Sequence, residues 1–134
     1  MFKPITGLGS VLALVLSAQA AAGADATDHA NRAAAGETSA TTIVDNALNR
    51  AEEKKALNAF ISIDADGARA AAAQADAASE HGPLHGVAIA VKDNIASAGI
   101  ATSAGTPALK DWVPETDAPV LARLREAGAI LIGK

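Results

Sequence analysis

Three kinds of apolar pattern alternate along the chain, and each predicts a different element. The first is Leu8–Leu16 (LGSVLALVL), which follows Lys3 and precedes Ser17-Ala18-Gln19-Ala20. A positive start, an apolar centre and small residues in an A-x-A arrangement predict a secretory signal over residues 1–20, cleaved after Ala20. The apolar stretch is shorter than the ~20 residues a membrane span requires, so no stable membrane insertion is expected. Residues 21–40 mix small and polar side chains without a period, which predicts a flexible linker.

The second pattern has the helical period. Thr42 resembles an N-cap, with Asp45 three residues on, and Ile43, Val44, Ala47, Leu48 and Ala51 then share one face. Asp64 or Asp66 caps a second helix, Ala68–Ala78, whose alanines combine high helix propensity with close packing. Thr116 or Asp117 caps a third, with Pro119 in its first turn, a buried face of Val120, Leu121, Leu124 and Ala127, and a left-handed stop at Gly128.

The third pattern is the short continuous run. Val87–Val91 and Ala129–Ile132 are apolar throughout, which predicts strands buried on both faces; Phe60–Ile63 is a further β-prone run. Strand, crossover with a helix, strand is the signature of a parallel α/β sheet. Gly133-Lys134 follows the last strand directly, where a strand still wants neighbours, so residues 41–134 read as the front piece of a longer domain.

Composition narrows the chemistry. The aromatic residues are Phe2, Phe60 and Trp112, so aliphatic side chains and alanine must fill the core. The balance of 11 Lys+Arg against 15 Asp+Glu offers no clustered basic face, and no nucleic-acid partner is expected. The absence of cysteine excludes disulfides, thiolate metal sites and a cysteine nucleophile. His81 and His85 have a helical ligand spacing, but Gly82 and Pro83 between them forbid the helix, so no metal site is expected and His85 reads as a turn or core residue. No G-x-S-x-G elbow surrounds Ser62, Ser79, Ser97 or Ser103, and Ser103 reads as a loop cap or a lining residue. No cofactor-binding pattern is present.

Lys92 is the most informative residue. It leaves an apolar strand at the C-terminal end, where ligands gather in parallel α/β sheets. Two readings follow from the residues alone: a lysine that snorkels to water, and a desolvated lysine whose lowered proton affinity lets it act as a base.

Gly82–Asn94 (GPLHGVAIAVKDN), Thr102–Leu109 (TSAGTPAL), Asp117–Leu124 (DAPVLARL) and Ala127–Lys134 (AGAILIGK) together resemble the amidase signature family, with Leu57–Ile61 (LNAFI) also matching. The likeness runs over about residues 42–134. It departs at Ala88, where the family often has proline. The resemblance implies a large domain with a mixed sheet flanked by helices. It implies amide hydrolysis or transfer by a nucleophilic serine, a second serine in a cis peptide, and a lysine that Lys92 matches. It puts the two serines in a Gly/Ser-rich segment well downstream, so residues 1–134 alone are expected to be inactive. The substrate is then a small-molecule amide, and the signal implies a periplasmic or secreted protein. The alternatives are a non-catalytic remnant or binding module, and the amidase subunit of a transfer-RNA amidotransferase, whose cytoplasmic work the signal opposes. The oligomeric state is not legible.

Overall fold

The computed structural model describes residues 25–134. The expected signal, residues 1–20, and the first residues of the expected linker lie outside them. The remainder of that linker is corrected: Ala26–Ala34 is a helix, α1, capped by the Asp25 carboxylate on the Asp28 N–H (2.9 Å). Its buried residues are Ala30 and Ala33, which with Ala26 and Ala34 fall at helical spacing among polar residues, a period carried by alanine alone.

Helix α2 spans Ala40–Glu53 and starts earlier than the pattern predicts, because Ser39, not Thr42, is its cap. The Ser39 hydroxyl accepts from the Thr42 N–H at 3.0 Å. Helix α3 spans Ala65–Ala77 and is capped by Asp64, whose carboxylate accepts from the Gly67 N–H at 3.1 Å. The two helices are also joined end to end: Asp76 near the end of α3 accepts from Ala40 N–H (2.5 Å), Thr41 N–H (3.1 Å) and the Thr41 hydroxyl (2.6 Å) at the start of α2. An anion at a helix N-terminus is favourable there twice over, as acceptor and as counter-charge to the helix dipole. Burial works against the Asp76 charge, but these hydrogen bonds outweigh it and hold its pKa below the usual carboxylate value.

The sheet consists of β1 (Ala88–Ala90) and β2 (Ile130–Gly133), paired in parallel as the sequence predicts. Ala88 lies opposite Ile130 and Ile89 opposite Leu131, with an irregularity between Ile89 and Ala90 that brings Ala90 opposite Gly133. Between them runs α4, Pro119–Glu126. No side chain caps it, contrary to the expectation for Thr116 or Asp117. Asp117 instead accepts from the Ala98 N–H (2.7 Å) and pairs with Arg125 (3.1 Å). Leu121 is fully buried, whereas Val120, expected on the same face, is 53% exposed. Gly128 has φ +97°, the left-handed stop expected of it.

Phe60–Ile63 is not a regular strand. It makes one antiparallel bridge, Ile63 to Gly133, on the edge of β2 that β1 leaves free. The Ile61 N–H donates to the Lys134 carbonyl (2.7 Å), and the Asp64 N–H to that of Ile132 (3.0 Å). β2 is therefore flanked on both edges. Ala40, Val44 and Leu48 of α2, Ala68 and Ala72 of α3, and Ile130 and Ile132 of β2 form one core cluster. The alternate residue Leu131 is buried as well, so β2 is covered on both faces, as its unbroken apolar run implies. Among the described residues, no helix is long and apolar enough to cross a membrane.

Candidate active site

β1 and β2 run in the same direction, so the residues that follow each strand meet at one end of the sheet. There an open cleft of about 620 Å³ is lined by Phe60, Ile61, Ala90, Lys92, Asp93 and Lys134, among others. Lys92 is on its wall and exposed. The expectation of a strand buried on both faces is corrected for β1: it is shorter than predicted, only partly covered, and Ala90 is exposed. Ala88 and Ala90 therefore do not bury Lys92, and of the two readings of its surroundings the described residues give the one open to water.

The buried charges are its neighbours, which the sequence pattern does not single out. Asp93, the next residue, is buried, and so is Lys134 at the end of β2. The Lys134 ammonium lies 3.6 Å from the Asp93 Oδ1, donates to the Thr102 hydroxyl, and is 3.5 Å from the Ala101 carbonyl oxygen. The other carboxylate oxygen, Oδ2, accepts from the Ser103 N–H (3.0 Å) and the Ser103 hydroxyl (2.5 Å). The Asp93 carbonyl accepts from the Ala104 N–H (3.2 Å). The Ser103 hydroxyl bond, foremost, holds the Asp93 carboxyl below its ordinary pKa against the opposing effect of burial. Burial pushes the Lys134 ammonium below its ordinary value, and the Asp93 charge offsets part of that.

The loop these bonds hold is strained. Ala104 has φ +49° and Gly105 φ +71°. A left-handed backbone costs a residue with a Cβ about 1–2 kcal/mol, so the contacts around Asp93 must offset it at Ala104. Ser103 thus serves as the loop cap read from sequence: its hydroxyl donates to Asp93 and accepts from the Gly105 N–H at 3.2 Å. Ser97 is buried elsewhere in the loop, donating to the Ile95 carbonyl at 3.1 Å. His81 and His85 stack ring on ring, centroids 3.9 Å apart, on the turn before β1. Burial lowers the pKa of His85, with His81 adding to the effect.

A signal for the Asp93–Lys134 pair is present in the sequence. Each apolar run ends on charge, Lys92-Asp93 after the first and Lys134 after the second. Parallel pairing sets those ends side by side.

Comparison with known proteins follows the same residues. A family model described as Amidase matches residues 42–134. The chain is 46% identical over 106 residues to a glutamyl-tRNA(Gln) amidotransferase subunit from Symbiobacterium thermophilum, covering 75% of this chain and 22% of that protein. It is 47% identical over 96 residues to a mandelamide hydrolase from Pseudomonas putida, covering 69% and 19% respectively. Among solved structures, a native peptide amidase from Stenotrophomonas maltophilia superposes with a TM-score of 0.77 at 39% identity, over 84% of this chain and 24% of that one. The chain spans about a fifth of the length of the curated relatives it matches.

Proposed function

Because the chain belongs to the amidase family, we propose that the complete protein hydrolyses amide C–N bonds, with Lys92 as the base of its active site. The supporting observation is the position of Lys92, at the C-terminal end of a parallel strand and on the wall of the cleft formed there. In this reading Lys92 takes a proton from the nucleophilic serine by way of the second serine. The serine oxygen bonds to the amide carbon. The proton then passes to the nitrogen as the C–N bond breaks, and water releases the acyl group from the serine. Both serines belong to the downstream segment that the resemblance implies. The substrate is a small-molecule amide, and residues 1–134 by themselves are inactive.

The test is turnover of simple aliphatic and aromatic amides by the protein expressed from its complete reading frame. Lys92→Ala removes the base and should cost on the order of 10³-fold or more, because members of a catalytic triad depend on one another. Lys92→Arg should fail as well, since a guanidinium stays charged and accepts no proton. Near-normal turnover in either variant, with folding unchanged, would overturn the assignment.

The similarity to amidotransferase subunits favours one second reading, amide transfer within a complex. The Lys3, Leu8–Leu16, Ala18-Gln19-Ala20 pattern supports export to the periplasm or beyond, and so favours hydrolysis.

A further inference from the structure

We propose that Asp93 and Lys134 are positioning residues for Lys92: their buried ion pair, tied to Ser103 and Thr102, locks the turn that presents Lys92 to the cleft. The inference rests on the reading of Lys92 as the base, and goes beyond it by naming what holds that base in place.

Three observations carry it. First, Asp93 follows Lys92 directly, yet one side chain is buried and the other exposed on the cleft wall. Fixing the first therefore fixes the direction of the second. Second, the polar groups of Asp93 are engaged on several sides: Oδ1 faces Lys134, Oδ2 takes two bonds from Ser103, and the carbonyl takes one from Ala104. A carboxylate held in that way has a single orientation. Third, the partner is itself fixed. The Lys134 side chain has no exposed surface. Its backbone exchanges hydrogen bonds with Ser62, and the Val91 N–H donates to the neighbouring Gly133 carbonyl at 3.2 Å. The end of β1, the loop at 101–104 and the end of β2 are thus joined through two side chains.

A buried ion pair is a poor source of net stability, because desolvation cancels much of its attraction. What it fixes is geometry, and the point it fixes here adjoins Lys92. The positive φ of Ala104, held by the same contacts, is of a piece with this, since strained backbone persists where surrounding bonds over-determine it.

The experiment is a double-mutant cycle in the protein from its complete reading frame, with kcat, KM and thermal midpoint measured for each variant. Asp93→Asn breaks the ion pair and should lower kcat on the order of 10²-fold with KM unchanged, the cost of a misplaced catalytic group. Ser103→Ala removes one bond to Asp93 and should produce a smaller loss of the same kind. In a Lys92→Ala background, neither substitution should lower the residual rate further, because the group they position is gone. Equal losses with and without Lys92, or unchanged kcat in both single variants, would overturn the inference. If Asp93→Asn does not fold, Ser103→Ala, which keeps the ion pair, decides on the same criteria. If Lys92→Ala alone keeps wild-type turnover, the base assignment fails, and that result is read before any double variant.

Discussion

Asp93 shows how much a single side chain is asked to do. Its carboxylate is buried, yet it stays ionised more readily than an ordinary one because Ser103 donates to it twice. Folding therefore weakens its hold on a proton. The stability this contributes is present above the ordinary carboxylate pKa of about 3.9, and is lost as pH falls from there through the lower folded-state value. Lys134 has the opposite location on the pH scale. Its proton affinity is also lowered, so its contribution to stability rises only in alkaline solution, between its folded value and the ordinary lysine value. Acid sensitivity consequently belongs to the carboxylates Asp93 and Asp76 and to His85, whose buried ring loses stability as pH falls from the ordinary histidine value. We expect Asp93→Asn to be less stable than wild type at neutral pH and to lose less further stability between pH 5 and 3. Denaturant unfolding at a series of pH values checks this, and parallel acid limbs would contradict it. Of this site, the strand-end position of Lys92 is legible in the sequence, and its catalytic role is implied only by resemblance. The burial of its neighbours is not legible, because charge beside an apolar run ordinarily faces water.

At the scale of elements, β2 is the most legible because it is covered on both faces and flanked on both edges, so its whole run has to be apolar. β1 has a similar pattern but shorter pairing and partial exposure, and pattern alone does not separate the two cases. Helix α1 carries its period on alanine alone, a small apolar residue that marks the face faintly, and the Asp25 and Asp28 spacing adds a capping signal. The Phe60–Ile63 run has β propensity and lies along the free edge of β2, with the Ile63–Gly133 bridge and backbone hydrogen bonds between Ile61, Ser62 and Lys134. That bridge explains Gly133. A Cβ there would overlap the Ser62 carbonyl oxygen and crowd the Ile63 Cα at 3.1 Å. Both neighbours are backbone, with no flexible end to give way. Gly133→Ala should therefore cost about 1–3 kcal/mol, the usual range for overpacking, by forcing the 61–64 segment off β2. The same shift would displace Lys134, so stability and turnover should fall together. Chemical denaturation beside an amide assay tests the point, and wild-type stability would show that the segment yields without cost.

At the scale of the whole molecule, the proposal of export gives the first twenty residues a purpose of their own. Within residues 1–20 the only charged side chain is Lys3, so removing them takes the formal net charge from −4 to −5. Cleavage after Ala20 would leave Ala21 as the new N-terminus, four residues ahead of Asp25, the cap of α1. The similarity to amidotransferase subunits makes location the measurement that separates the two proposed readings, hydrolysis by an exported protein and amide transfer within a complex. We expect N-terminal sequencing of the protein recovered from the periplasmic or secreted fraction to begin at Ala21. Replacing Leu12, Leu14 and Leu16 by charged residues should hold the protein in the cytoplasm with Met1–Ala20 still attached, since the apolar centre is what the export machinery binds. A wild-type protein found in the cytoplasm with that segment intact would remove the case for export, and would make amide transfer within a complex the stronger reading.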